Sequence, residues 1–154
     1  CRSLFELKKI EKEYLVLIMG RPRPESGKWK DFVGERREAG RVRAFVRPSA
    51  PPNAELQYSQ EAFYPKYILS LLKISLLTGK THQIRVQAAS RRHPVAGDEI
   101  YGQFLLNKQL RKAIGLRRLF LHAHTLAFRH PRTHEALKIS SPLPLELKNC
   151  LKNI

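Results

Sequence analysis

The stretch that decides the fold is Ile68-Leu69-Ser70-Leu71-Leu72-Lys73-Ile74-Ser75-Leu76-Leu77, followed by Thr78-Gly79-Lys80 and by Thr81-His82-Gln83-Ile84-Arg85-Val86. Leu72, Ile74 and Leu76 alternate with Leu71, Lys73 and Ser75, which is the two-residue period of a β-strand. The Thr-Gly-Lys triplet predicts a turn. The Thr81 hydroxyl can accept a hydrogen bond from a free backbone N–H, so we predict a helix with Thr81 as N-cap, running to about Arg91.

Working outward, Glu13 to Met19 is apolar on both faces, which predicts a central, covered strand that ends at Gly20. Arg21 to Gly40 is rich in Pro, Gly and charge and contains the only tryptophan, Trp29. It predicts a surface excursion that touches a partner.

The remaining elements are expected in two groups. Strands are predicted at Val42 to Val46, Glu55 to Tyr58, Leu119 to Phe128 and Ala136 to Ile139. Helices are predicted at Phe104 to Gly115, where Leu106, Leu110 and Ala113 or Ile114 would form a buried stripe, and at Pro144 to Leu151. Pro48 to Asn53 and Gly97 to Gly102 are expected to be loops.

The charge of the chain indicates its partner. Lys and Arg number 29 against 13 Asp and Glu, a formal net charge of +16. A polyanion such as RNA is the natural counterpart, and a merely solvated basic surface is the alternative. No apolar run approaches the roughly twenty residues that span a bilayer, so we expect no membrane partner.

Cysteine and histidine usage indicates the compartment and the metal content. Cys1 and Cys150 lie at opposite ends of the sequence, which suggests no disulfide and a reducing, cytoplasmic location. His122 and His124 could share a strand face, but no nearby carboxylate or thiolate completes a ligand set. We therefore predict no metal site.

Several blocks in order carry a family resemblance that runs from about Phe5 to Leu151. They are Glu11-Lys12-Glu13-Tyr14-Leu15, Ala54-x-Leu56-x-Tyr58, Leu77 to Val86, Gly97-Asp98-x-x-Tyr101-Gly102, Leu121-His122-Ala123 and Ser141-Pro142-Leu143-Pro144. Together they resemble the RluA-type RNA pseudouridine synthases. The departures are Lys80 for the usual Arg, Leu56 for Thr and Gln87 for a common His.

The resemblance implies an α+β fold with a mixed, largely antiparallel sheet flanked by helices. It implies isomerisation of uridine in RNA without cofactor or metal. By position in the motifs, Tyr14 would stack on the flipped base and assist proton removal, although a buried strand aromatic is the plainer alternative. Arg85 would pair with the catalytic aspartate. Substrate binding is expected from Lys80, Thr81, His82, Gln83 and Ile84, with His82 and Gln83 contributing mainly helix-start structure and hydrogen bonds.

One block of the family, His-Arg-Leu-Asp with the nucleophilic aspartate, does not occur in these 154 residues. Residues 1–154 are therefore expected to be the C-terminal portion of a catalytic domain, inactive alone, with an exposed apolar sheet edge that associates with an upstream segment or another copy. We reject Asp31 and Asp98 as substitute nucleophiles; Asp98 is expected to organise backbone donors. Arg85, lacking its carboxylate, should be solvated or recruit another anion.

Two other classes of function stay open. The chain could be a non-catalytic RNA-binding module on the same fold, or a basic structural protein of a ribonucleoprotein. An in-frame His-Arg-Leu-Asp block upstream would favour the enzyme. Ribosomal and transfer RNA are both possible substrates.

Overall fold

The structure, a computed structural model, describes residues 10–154. The start of the resemblance at Phe5, Cys1 and the basic residues Arg2, Lys8 and Lys9 lie outside the described residues. The strands are β1 (Glu11–Met19), β2 (Ser26–Asp31), β3 (Val33–Glu38), β4 (Arg41–Val46), β5 (Ala54–Tyr64), β6 (Leu69–Leu76), β7 (Leu121–Arg129) and β8 (Ala136–Ser140). The helices are α1 (Gln83–Ser90), α2 (Phe104–Ile114) and α3 (Leu145–Lys152).

Six strands form one sheet in the order β2-β5-β6-β1-β7-β8, and β3 pairs with β4 in a separate two-stranded ribbon. Each of these pairings is antiparallel. With the three helices, this confirms the predicted α+β fold and its largely antiparallel sheet.

β1 lies in the middle of the sheet, since it pairs with β6 on one side and β7 on the other and two or more strands lie beyond it on each side. Val16, Leu17 and Ile18 are 0% exposed. Val16 and Ile18 belong to one apolar cluster, whereas Leu17 and Met19 belong to another. The apolar residues on both faces of the strand therefore form two cores, as the sequence predicted.

The predicted surface excursion at 21–40 is wrong. Most of it forms β2 and β3, and Trp29 is only 5% exposed. Trp29 stands opposite Leu56 in the β2–β5 pairing, and its ring centroid lies 4.9 Å from that of Tyr58. Pairing with β5 places the single apolar side chain of a charged strand in the core, an effect of tertiary context that overrides local composition.

The predicted N-cap at Thr81 is also wrong. The helix begins at Gln83, and its N-cap is His82, whose φ of 52° lies in the left-handed region and whose side chain makes no capping hydrogen bond. The Thr81 hydroxyl instead donates to a Glu35 carboxylate oxygen on β3. A long-range contact has replaced the local cap.

The second helix, α2, packs one apolar stripe into the core, and the last strand, β8, lies at the edge of the sheet. In α2, Leu110 and Ile114 are buried, Leu106 is half-buried and Ala113 is exposed, which resolves the stripe in favour of Ile114. β8 forms one edge of the sheet, and its Leu137 and Ile139 are 37% and 57% exposed. Within the described residues, β8 is thus an edge strand with two exposed apolar side chains.

Candidate functional site

The centre of the site is an ion pair between Arg85 on α1 and Asp98 in the following loop. Arg85 Nε donates to Asp98 Oδ2 at 2.8 Å, and Arg85 Nη2 donates to Asp98 Oδ1 at 2.9 Å. The Asp98 side chain is 0% exposed and that of Arg85 14%. This two-point geometry, out of water, is the strong form of a charge-assisted contact. Of the two predicted alternatives for Arg85, solvation or pairing with another anion, the structure shows the second.

Asp98 also holds its own loop together. Its Oδ1 accepts hydrogen bonds from the backbone N–H groups of Ile100 at 2.9 Å and Tyr101 at 3.0 Å. Its backbone carbonyl accepts from Asn107 Nδ2 at 2.8 Å, which fixes the loop to α2. The prediction that Asp98 organises backbone donors is confirmed, and its side chain is fully engaged as an acceptor.

The pair perturbs both ionisable groups in the direction that keeps them charged. Burial by itself would raise the pKa of Asp98, but the Arg85 and backbone hydrogen bonds outweigh it and leave that pKa below its ordinary value. The hydrogen bond with Asp98 is the main reason that the pKa of Arg85 is raised. At neutral pH the site therefore contains a cationic guanidinium whose orientation is fixed by an anionic carboxylate.

Tyr101 connects this pair to the rest of the site, and sequence reasoning did not select it. Its ring lies under the Arg85 guanidinium, 5.1 Å from centroid to Cζ. Its hydroxyl accepts from the backbone N–H of Ala44 on β4 at 2.8 Å and lies 2.8 Å from Nδ1 of His82. The signal that could have found it is the Tyr of the Gly-Asp-x-x-Tyr-Gly block.

His82 is held neutral in this setting. Burial, then the nearby Arg85 charge, lowers the pKa of His82, although Asp98 and Glu35 act in the opposite direction. Nδ1 of His82 and the Tyr101 hydroxyl share one hydrogen bond, and the imidazole tautomer sets which of them donates. His82 and Thr81 thereby link α1 to both the loop and the β3–β4 ribbon.

The structure places the predicted substrate-binding residues in two environments. Gln83 is 2% exposed; its Oε1 accepts from the Thr78 hydroxyl and the Lys80 backbone N–H, and its Nε2 donates to the Glu55 carbonyl. Ile84 is 4% exposed and belongs to the core. Lys80 is exposed, and Thr81 and His82 are half-buried. Gln83 and Ile84 thus form the buried start of α1. The other three residues directly precede the helix and are more exposed.

Tyr14 lies on β1 opposite Ile74 and Ala123. It packs against the same apolar cluster that contains Ile84, so it is on the face of the sheet that α1 covers. It also lines an open groove of about 380 Å³ toward β7 and β8. Within residues 10–154 no hydrogen bond joins Tyr14 to Arg85. The two predicted catalytic residues share a face of the sheet without direct polar contact.

Among residues 10–154 no group of three histidine, cysteine or acidic side chains forms a metal-binding arrangement. His122 Nε2 and His124 Nδ1 both lie at hydrogen-bond distance from the Ser141 carbonyl, 2.9 and 3.0 Å. In the same part of the chain no helix is long and apolar enough to cross a membrane.

Comparison with known proteins identifies the family. A sequence profile described as RNA pseudouridylate synthase matches residues 1–90. The chain is 38% identical over 152 residues to an uncharacterized RNA pseudouridine synthase of Mycobacterium bovis, covering 98% of this chain and 47% of the relative. It is 36% identical over 148 residues to the ribosomal large subunit pseudouridine synthase C of Haemophilus ducreyi, covering 96% and 45%. The chain belongs to the RNA pseudouridylate synthase family.

The fold agrees with that membership. Human RNA Pseudouridylate Synthase Domain Containing 4 aligns with a TM-score of 0.75 at 24% identity, over 99% of this chain and 65% of that one, which supports the fold alone. The chain spans about half the length of the curated pseudouridine synthases that it matches. The resemblance found in the sequence motifs is confirmed at the level of the family.

Proposed function

We propose that the polypeptide containing residues 1–154 converts specific uridines in RNA to pseudouridine, and that these residues supply the C-terminal portion of its catalytic domain. The observation that carries the proposal is the mostly buried Arg85 guanidinium, oriented by Asp98, in a member of the pseudouridylate synthase family. The names of several relatives specify the large ribosomal subunit, so ribosomal RNA is the favoured substrate and transfer RNA the alternative.

In this reaction the bond between N1 and C1′ of uridine breaks, the base turns, and C5 joins C1′. The proton on C5 leaves and N1 gains one, so atoms and charge balance without a cofactor. The target nucleotide must first leave its stack, which costs about a few kcal/mol. We assign Tyr14 to stacking on the flipped base and to removal of the C5 proton. Its half-buried place above an open groove allows a base to reach it.

Arg85 is assigned to hold the nucleophilic carboxylate. Arg85 Nε and Nη2 donate hydrogen bonds to Asp98. Within residues 10–154, Nη1 donates no hydrogen bond. A guanidinium fixed by one carboxylate can present its remaining N–H groups to a second without reorganising, which is how preorganised charge favours a reaction. In this proposal Asp98 orients Arg85, and Arg85 orients the nucleophile.

The nucleophilic aspartate is proposed to lie in a His-Arg-Leu-Asp block upstream of Cys1. Both aspartates of the sequence are committed to other contacts: Asp98 to Arg85, and Asp31 to Arg91 at 2.7 Å and Gln87 at 2.6 Å. By this proposal residues 1–154 alone bind RNA without turnover. The exposed β8 edge, with Leu137 and Ile139, is a surface that the upstream segment or another copy could cover.

The same commitment of both aspartates favours one other function. A non-catalytic RNA-binding module would keep the basic surface and the fold but need no nucleophile. The net charge of +16 would favour RNA binding in either function. Pseudouridine formation is therefore the measurement that distinguishes the enzyme from the binding module. A cytoplasmic location stays a prediction under either function.

The test uses the full-length protein and tritium release from RNA carrying 5-tritiated uridine. Wild type should release tritium and form pseudouridine. Tyr14→Phe keeps the ring and loses the hydroxyl, so RNA binding should persist while turnover falls by about a hundredfold or more, the usual share of a general base. Tyr14→Leu should lose binding as well.

Arg85→Lys is the matched test of the guanidinium. Lysine keeps the charge but cannot bind two carboxylates through a planar fork, so turnover should fall while RNA affinity changes little. A full-length wild type that binds RNA but forms no pseudouridine would replace the enzyme with the binding module.

A further inference from the structure

A second cavity lies beside the candidate site, between the Gly97–Gly102 loop, α2 and the segment that follows α2. Its volume is about 510 Å³. Three cationic side chains line it: Lys108 and Arg111 from α2, and Arg117 from the following segment. The proposed reaction makes no use of these three residues.

The three cations of this cavity are not neutralised by ion pairs, unlike the arginines of the candidate site. Arg85 and Arg91 each pair with an aspartate. Lys108, Arg111 and Arg117 are exposed, and within the described part of the chain their side chains form no ion pair or hydrogen bond. Two acidic residues also line the cavity, Asp98 and Glu99. The Asp98 carboxylate is 0% exposed and neutralised by Arg85, so the exposed Glu99 offsets one of the three cations and an excess of two positive charges is left. Such an excess in a concave site concentrates anions.

The wall of the cavity is rigid. Asn107 accepts from the Gly97 backbone N–H at 2.9 Å and donates to the Asp98 carbonyl at 2.8 Å, so both ends of its amide are used to join α2 to the loop. A Cβ on Gly97 would lie 2.1 Å from the Arg118 carbonyl oxygen, which shows how closely the loop meets the segment after α2. The three cations therefore project from elements whose relative positions are set by direct contacts.

An exposed aromatic side chain completes the arrangement. Phe104, at the start of α2, lines the cavity and is 77% exposed. An aromatic ring beside a basic groove is the usual arrangement for single-stranded nucleic acid, in which phosphates contact cations and a base stacks on the ring. Leu105, equally exposed at 72%, does not line the cavity.

From this geometry we propose that the cavity is a second RNA-binding site, which takes the phosphates of a single-stranded segment on Lys108, Arg111 and Arg117 and one unstacked base on Phe104. The proposal rests on RNA being the substrate of the proposed function. Because the Asp98 loop forms a shared wall, the bound strand would be a flank of the RNA whose target uridine enters the candidate site.

The charge test is a double variant, Arg111→Ala with Arg117→Ala, in the full-length protein. The probe is a fluorescent single-stranded oligouridylate, with affinity measured over a range of salt concentrations. Removing two phosphate contacts should lower the slope of log affinity against log salt by about 1.4. Lys148→Ala with Lys152→Ala, which removes two exposed charges from α3, is the matched control and should leave the slope unchanged. Glu99→Gln should strengthen binding.

The stacking test compares Phe104→Ala with Leu105→Ala. The first should weaken binding about fivefold or more, the low end of what a base–aromatic stack contributes, and the second should have no effect. In the charge test, an equal loss of salt dependence in the Arg111/Arg117 and Lys148/Lys152 double variants, or no loss in either, would overturn the proposal. Competition by uridine monophosphate gives another refutation. If it displaces the probe as well as an unlabelled oligouridylate does at the same total phosphate concentration, the site binds mononucleotides and the proposal fails.

Turnover separates this proposal from the proposed function. If wild type forms pseudouridine, the Arg111 and Arg117 variant should raise KM with kcat unchanged, because the flank contacts are made equally before and during the reaction. If wild type forms none while the salt slope still depends on these residues, the enzymatic function fails and the second RNA site stands.

Discussion

Replacing Asp98 by Asn tests the pair on which the site is built. Asn keeps the shape of the side chain and one oxygen for the Ile100 and Tyr101 N–H groups, but it removes the charge opposite Arg85. Breaking a buried ion pair on one side costs about 3 to 5 kcal/mol. The Arg85 side chain is 14% exposed and can recover some hydration, so we expect about 3 kcal/mol of lost unfolding free energy, the lower end of that range.

Urea denaturation followed by circular dichroism measures this cost. With an m value of about 2 kcal/mol/M, the midpoint should fall by about 1.5 M at unchanged m. Glu11→Gln, which alters an exposed carboxylate at the start of β1, should stay within about 0.5 kcal/mol of wild type. Adding Arg85→Gln to Asp98→Asn should recover part of the loss, because the unpaired charge is removed. A loss below about 1 kcal/mol for Asp98→Asn would refute the view that the pair is buried and strongly coupled.

The pH dependence of the unfolding free energy gives a second test of the Asp98→Asn variant. The folded pKa of Asp98 lies below 3.8, so its stabilisation is fully present above that pH and is lost as the pH falls through the folded pKa. The difference in unfolding free energy between wild type and Asp98→Asn should therefore be constant from about pH 7 to 5 and shrink below about 4. If this difference in unfolding free energy shrank between pH 7 and 5, the folded pKa of Asp98 would be raised rather than lowered.

Three further outcomes are expected. Gly97→Ala, at φ +79° with its Cβ 2.1 Å from the Arg118 carbonyl, should cost about 3 kcal/mol or more in urea denaturation, whereas Gly115→Ala, at φ +76° with no atom within 4 Å, should cost only about 1 to 2. In an NMR titration His82 should titrate below 6.5, and Asp98→Asn should lower its pKa further, because the Asp98 charge raises it; a value above 6.5 in wild type would contradict the burial argument. Phe120→Ala should cost about 3 to 5 kcal/mol, since the ring is 0% exposed, and a cost near zero would show that the core can collapse around the gap.

Local sequence pattern was sufficient where one segment carries its own signal. The apolar residues on both faces of Glu11–Met19 require cover on two sides, and that requirement alone made β1 central. The Gly-Asp-x-x-Tyr-Gly block likewise predicted a loop whose carboxylate organises backbone donors. The family followed from the order of such blocks, and so did the choice of Arg85 as the residue that would need an anion.

Only the tertiary structure decided which distant groups meet. Nothing near Trp29 shows that β5 will pair with its strand and bury it, because that contact joins residues far apart in the chain. Thr81 had the right chemistry for a cap, but Glu35 offered its hydroxyl a charged acceptor. Sequence determined the periodic elements and the list of reactive groups. The partners of Arg85, Thr81 and Trp29 were set by long-range packing, whose energy no local window contains.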